Sequence, residues 1–313
     1  MAIVMSKLTN AVVFAYHNVG VRCLSVLLDQ GIHIPLVISH EDNPGETIWF
    51  ESVAELAHRH GIPVITPLDP NVPEVVAEII RLQPDFLFSF YYRLMLKPSL
   101  LQIPRRGAFN MHGSLLPKYR GRVPVNWAII KGEKETGATL HAMNEKPDNG
   151  AIVDQQAVPI LENDTAADVF NKVTVAAEMT LHRALPGLLA GTTRLTQQDL
   201  TQGVYFGGRK AEDGIIDWGD SAANIHNLVR AVAPPYPGAS TRIADRGCRV
   251  LRTLREPARS PRGSGPAIYV ADDRLFADCG DGQVLQIVDL EVEGVTMTAR
   301  QFAAQFGQSV RIV

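Results

Sequence analysis

The chain has 313 residues, 46% hydrophobic and 20% charged, enough apolar material for two packed domains and too much for a disordered one. Its net charge of −3 excludes a general attraction to nucleic acid or to anionic membranes. Cys23, Cys248 and Cys279 stand far apart, with neither a CxxC pair nor metal-ligand spacing, which fits a reducing cytoplasm. From the N-terminus, MAIVMSKLTN lacks the basic region and cleavage site of a signal peptide, and no apolar run reaches the length of a membrane span. AVVFAYH (11–17) then predicts a buried strand, and the apolar spacing of Leu24, Leu27 and Leu28 predicts a helix ended by Gly31. PLVISH, PVIT, DFLFSFYY and GAFNMH predict four more strands, separated by helices over ESVAELAHRHG and PEVVAEIIRLQ. Strands alternating with helices imply right-handed crossovers and a doubly wound, mostly parallel α/β sheet of the Rossmann-like kind. Two further strands follow in TGATLHAM and AIVDQQAVPI, around a turn at Pro147-Asp148-Asn149-Gly150. The capping box Thr165–Asp168 starts a long helix that should break near Pro186. GTTRLTQQDLTQG (191–203) predicts a linker, dividing the chain into domains 1–203 and 204–313. The second holds a helix over Ala222–Ala233 and closely spaced short strands, the pattern of a small β-barrel.

One strand end is chemically unusual. Asn110 and His112, two residues apart, face the same side of the strand GAFNMH and so share one space. Gly113 follows, removing a side chain where a ligand could approach the backbone. Asn is a neutral donor and His exchanges protons near pH 7, a pair suited to a developing oxyanion. Asp148, in its turn, is a candidate to orient the imidazole and raise its pKa. A satisfied core network is the competing reading of the same pair. Ser114 is expected to brace its loop, since no base-and-orienter pair accompanies it. His17 and His40 lie near strand ends and could line an acceptor. Trp49-Phe50 reads either as a ring-stacking pair or as packing at a helix start.

The longer stretch FNMHGSLLPKYRG with DNGAIV resembles the folate-dependent formyltransferases, and the resemblance extends over most of the chain. HEDNPGETIWFESVAELA and FSFYYRLML look like the family's sugar-nucleotide branch, which includes the formyltransferase domain of bifunctional polymyxin-resistance proteins. DGIIDWGDSAANIHNLVRAV and PPYPGA resemble the family's second domain, an open OB-like barrel. The resemblance implies 10-formyltetrahydrofolate as co-substrate, no metal, and direct attack by an amine on the formyl carbon. It assigns catalysis to Asn110, His112 and Asp148. Leu94, Met95, Leu96, Arg122 and the loop Asn144, Glu145, Lys146, Pro147 and Asp148 would contact the folate. Asn149 departs from the family's more usual Asp-Ala-Gly, which could alter the turn. The implied acceptor is a nucleotide-linked aminosugar, UDP-4-amino-4-deoxy-L-arabinose in the matching branch, with lipid A modification as the setting. Neither a membrane nor nucleic acid is an expected partner. The alternatives are a methionyl-tRNA formyltransferase, suggested by seven arginines between Arg242 and Arg262, and a folate-binding protein without turnover. A solvated, charge-balanced strand face is the plainer account of those arginines.

Overall fold

The computed structural model describes residues 8–263 and 265–312. Met1–Lys7, most of the segment read for a targeting signal, lie outside the described residues. Contacts divide the chain into two units, 1–124 with 136–158 and 171–206, and 125–135 with 159–170 and 207–313.

The first unit is built on β1 (Asn10–Ala15), β2 (His33–Ile38), β3 (Val64–Ile65), β4 (Phe86–Phe90) and β5 (Ala108–His112). A short β6 (Arg120–Gly121) precedes β7 (Glu135–Ala142) and β8 (Ile152–Pro159). The sheet order is β3-β2-β1-β4-β5-β7-β8. All pairs from β3 to β5 are parallel, and β7 runs antiparallel to β5. β4 is buried throughout, matching its unbroken run FLFSF, as expected of a strand covered on both faces. Helices α1 (His17–Asp29), α2 (Val53–Arg59), α3 (Pro73–Leu82) and α4 (Pro98–Leu101) supply the crossovers. Val12, Phe14, Ile38, Leu87, Ile79 and Leu100 interlock in one core. The chain winds outward from β1 in one direction and from β4 in the other. The carboxyl ends of β1, β4 and β5 therefore border the crevice where such sheets take ligands.

Two expectations change. The long helix α6 (Ala166–Ala190) opens on the anticipated capping box but runs through Pro186. Buried Leu185 and Leu188 hold its last turn, and Arg106 donates to the carbonyls of Leu188 and Leu189, satisfying acceptors at the helix end. The stretch 191–203 is not a bare connector. Thr196 bridges Ile152, the 3-10 turn Leu200–Gln202 follows, and β9 (Tyr205–Phe206) pairs with β6.

The second unit includes α5 (Pro124–Ile130), apart from Pro124, and α7 (Ala222–Ala231). Its sheet comprises β10 (Ala239–Ile243), β11 (Arg246–Arg255), β12 (Ala267–Ala271), β13 (Arg274–Asp278), β14 (Val284–Val292), β15 (Val295–Thr296) and β16 (Ser309–Arg311), with α8 (Ala299–Phe306) before the last strand. The order is β10-β11-β14-β13-β12-β16, antiparallel, with β15 on β14: an open half-barrel. Trp218, Ile225, Val250, Leu285 and Phe302 form its core, and Trp218 Nε1 donates to Thr241 Oγ1 at 2.9 Å.

Five of the seven arginines in the stretch face an acidic residue within this unit. Arg249 and Arg252 lie opposite Glu291 and Asp289 in the β11–β14 register. Arg246 faces Glu293, Arg255 faces Glu162, and Arg259 pairs with Asp272 at 2.6 Å. Arg259 and Arg262 also lie over the rings of Phe276 and Tyr269. The strand face is charge-balanced.

Candidate active site

β5 ends at the crevice, and its pleat sends Asn110 and His112 to the same side. Asn110 is half-buried and His112 is 6% exposed, so both are shielded from bulk water yet near the edge. His112 Nε2 lies 2.8 Å from the Tyr119 carbonyl, an acceptor, so Nε2 carries a proton. Its Nδ1 is 3.5 Å from Asp148 Oδ1. The structure thus brings Asn110, His112 and Asp148 into one cluster, and it adds a fourth member.

That member is His141. On β7 it sits directly opposite Asn110 in the antiparallel register. Its Nδ1 is 2.9 Å from the Ala142 carbonyl, which fixes the proton there and leaves Nε2 to accept. Asn110 Nδ2 donates to that Nε2 at 3.2 Å, and Asp148 Oδ1 lies 3.4 Å from it. One carboxylate oxygen therefore stands between two imidazoles. Sequence reasoning missed His141 because its only signal is the β5–β7 pairing register.

Asp148 is placed by its turn. It adopts a left-handed backbone, φ 56°, which Asp tolerates better than most side chains. Its Oδ2 accepts the Gly121 N–H at 2.7 Å. Gln198 Nε2 donates to the carbonyls of Asp148 and Gly150 at 2.9 and 2.6 Å. Asn149 Oδ1 accepts from Arg120, whose other terminal nitrogen reaches the Gly203 and Leu200 carbonyls. The unusual Asn149 thus fastens the turn to the 200–203 segment. Gly150 is required: a Cβ there would collide with the Ala142 carbonyl oxygen. Burial acts to raise the Asp148 pKa, but the facing His112 and the Gly121 N–H hold it well below the usual carboxylate range. Asp148 is ionised at any working pH.

Gly113 makes room for a side chain of the protein itself. A Cβ at this position would occupy the space of the Tyr91 hydroxyl, which lies against the backbone beside His112. Ser114 Oγ donates to the Lys118 carbonyl at 2.6 Å and so braces the loop.

The remaining candidates spread around the cluster. Leu94 and Met95, after β4, are 39% and 55% exposed, whereas Leu96 is buried in the core beneath them. His40 Nε2 accepts the Arg93 N–H at 3.0 Å, and Asn71 donates to the Met95 carbonyl and accepts from the Lys97 N–H. The loop 93–97 is therefore held from behind. Arg122 has an exposed side chain and donates its backbone N–H to Phe206. Asn144, Glu145 and Lys146 are exposed, and Pro147 is half-buried beside Asp148. Among the described residues, no group of three or more His, Cys, Asp or Glu is arranged to hold a metal ion. Among them too, no helix is long and apolar enough to cross a membrane.

A doubly wound sheet that presents an amide, two imidazoles and an ionised carboxylate at its strand ends is equipped for group transfer with developing negative charge. The sequence matches the formyl transferase family over residues 17–185 and that family's C-terminal domain over residues 209–307, and the chain belongs to this family. The fold is similar to that of an N-formyltransferase from Helicobacter canadensis, solved with folinic acid and dTDP-3-aminofucose. There the identity is 21%, the TM-score 0.69, and the match covers 90% of this chain and 98% of that one. It is also similar to WlaRD, a sugar 3N-formyltransferase solved with dTDP and 5-N-formyl-THF, at 19% identity and TM-score 0.71, covering 93% and 98%. HypX from Aquifex aeolicus, in complex with tetrahydrofolic acid, matches at 18% identity and TM-score 0.63, covering 95% of this chain and 47% of that one.

Proposed function

We propose that this protein transfers a formyl group from 10-formyltetrahydrofolate to the amine of a nucleotide-linked aminosugar, and that UDP-4-amino-4-deoxy-L-arabinose is the acceptor. The observation that carries the transfer chemistry is the Asn110–His112–Asp148–His141 cluster at the carboxyl edge of β5. The folate supplies an activated formyl group on nitrogen. The residues present fit it: Leu94 and Met95 offer exposed apolar surface on the neighbouring strand's loop, and the polar 144–148 turn lies on the other side of the cluster.

Each side chain has a distinct task. Asn110 Nδ2 has two hydrogens, one engaged by His141 and one left to donate to the formyl oxygen as it gains charge. His112 moves the proton lost by the attacking amine to the departing folate nitrogen, directly or through one water. Asp148 stays ionised beside His112 Nδ1 and orients the imidazole. His141 fixes the Asn110 amide.

The acceptor is read from HEDNPGE and the Trp49-Phe50 pair, from the fold's likeness to sugar N-formyltransferases, and from the balanced arginine face of β11, which offers no excess charge for RNA phosphates. The test is incubation with 10-formyltetrahydrofolate and a panel of UDP- and dTDP-linked aminosugars, with products read by mass spectrometry. Formylation of the UDP-4-amino-4-deoxy-L-arabinose amine is expected. Formylation of methionyl-tRNA in preference to every sugar would overturn the reading.

A further inference from the structure

Trp49 and Phe50 sit side by side just before α2, both half-buried, and the catalytic cluster uses neither. Phe50 stacks on the His17 ring with centroids 3.9 Å apart, and Trp49 meets the same ring edge-on at 4.7 Å. His17 holds this geometry at a cost: it adopts a left-handed backbone, φ 67°, at the junction of β1 and α1. The Asn18 side chain accepts the Glu51 N–H at 2.8 Å and so pins the aromatic segment to the start of α1. Ile48 beside them is 41% exposed. Ile48, Trp49 and Phe50 line a cavity of about 390 Å³, together with Asn18, Arg22, Glu51 and Thr174. Arg22 is clasped by Glu178 through two short bonds of 2.8 and 2.6 Å, so its guanidinium is a fixed part of the wall.

We infer that this cavity binds the pyrimidine base of the nucleotide-linked substrate, stacked on the Trp49–Phe50 wall; the inference rests on the aminosugar reading above. Three features support a flat polar ring as the occupant. The wall has aromatic faces, which favour stacking. The other lining residues carry an amide, a hydroxyl, a carboxylate and a guanidinium, the donor and acceptor types that the edge of a pyrimidine requires. The cavity also lies on the same side of the sheet crevice as the reaction: Phe50 stacks on His17, whose ring lies 6.4 Å from that of Tyr91, and the Tyr91 hydroxyl rests against Gly113, so three rings link the cavity wall to the end of β5. A base held on that wall leaves its diphosphate and sugar to span those rings towards Asn110 and His112.

Isothermal titration of the full-length protein with UMP, dTMP and ribose 5-phosphate tests this without any turnover. Trp49→Ala should weaken UMP and dTMP binding about ten-fold or more, as loss of a stacking platform does. Trp49→Phe should keep most of the affinity. Ribose 5-phosphate, which has no base, should bind both proteins alike. Ile48→Asp, which alters an exposed position and no core contact, should also weaken UMP binding. Folinic acid titrations verify that each variant is folded and should give unchanged affinity. Equal UMP affinity in wild type, Trp49→Ala and Ile48→Asp would overturn the inference, as would failure of UMP and dTMP to bind the wild type. Sugar formylation with an unaltered KM in Trp49→Ala would remove the base site while leaving the aminosugar reading in place. Absence of any sugar formylation alongside base-dependent binding would remove that reading alone.

Discussion

Asp148 Oδ1 stands 3.5 Å from one histidine and 3.4 Å from another, so a single carboxylate oxygen lies beside both halves of the cluster. On the proposed mechanism, replacing Asn110 or His112 by alanine removes the donor to the reacting oxygen or the proton carrier. Turnover should fall by about two to three orders of magnitude in each, with folinic acid binding little changed. Near-normal kcat in either variant would return the pair to a core network. His141→Phe keeps the ring's volume but loses the acceptor that orients Asn110. We expect about a ten-fold drop in kcat, the equivalent of one buried hydrogen bond, with recovery in His141→Gln. An unaltered kcat in His141→Phe would show that Asn110 is oriented without it.

At the scale of elements, the ends of β1, β2 and β4 form one polar-aromatic junction. Tyr16 donates to Asp42 at 2.7 Å, and Arg93 grips Glu46 through two bonds of 2.9 Å. His17 and His40 are held neutral here, because Nδ1 of one and Nε2 of the other accept backbone N–H groups. Burial first, then the positive charge of Arg93, lowers their pKa values to about 3 and about 4. Unfolded, both titrate near 6.5, so between roughly pH 6.5 and 4 the unfolded chain binds protons that the native protein refuses. Stability should therefore fall as pH drops through that window. Asp148 does not add to this slope: its depressed pKa gives a contribution lost only below the ordinary carboxylate range. His226, lowered mainly by burial, contributes in the same direction from the second unit. Urea unfolding from pH 7 to 4.5 should show a shallower decline in a His17→Asn, His40→Gln double variant. Parallel declines in both proteins would mean that the junction is not the source.

Local rules went far with these elements. The unbroken apolar runs identified the parallel core strands, and the i, i+2 spacing put Asn110 and His112 in one space. Residues brought in by long-range pairing were hidden. His141 becomes part of the site only because β7 pairs antiparallel with β5 in a register that no local pattern encodes. Gln198 lies in a polar stretch with every mark of a linker, yet its amide holds the Asp148 turn. Pro186 reads as a helix stop, but Arg106, eighty residues away in sequence, sustains the turn beyond it. The partner of Gly113 was hidden for a related reason, since its missing Cβ makes room for Tyr91, which follows the neighbouring strand.

For the whole molecule, the division into two units is not a single cut in the chain. Residues 125–135 and 159–170 precede residue 206 yet group with the second unit. Asn126 Nδ2 donates to the Ala231 carbonyl at 2.7 Å, and Trp127 Nε1 donates to the Gly207 carbonyl. Arg230 and His226 on α7 bond to the carbonyls of Leu161, Asp164 and Glu162. A protein ending at residue 206 would keep the catalytic cluster and Gln198, all of which belong to the first unit. It would lose every partner just named and leave Val125, Ala128 and Ile129, each buried in the intact protein, without much of their cover. Residues 1–206 should therefore melt at a lower temperature than the full chain and aggregate more readily, while the soluble fraction still binds folinic acid. Circular dichroism and titration of that fragment measure both properties. A folded fragment with no folinic acid affinity would show that the folate site needs residues beyond 206, and one as stable as the full chain would show that the two grafted segments do not depend on the second unit.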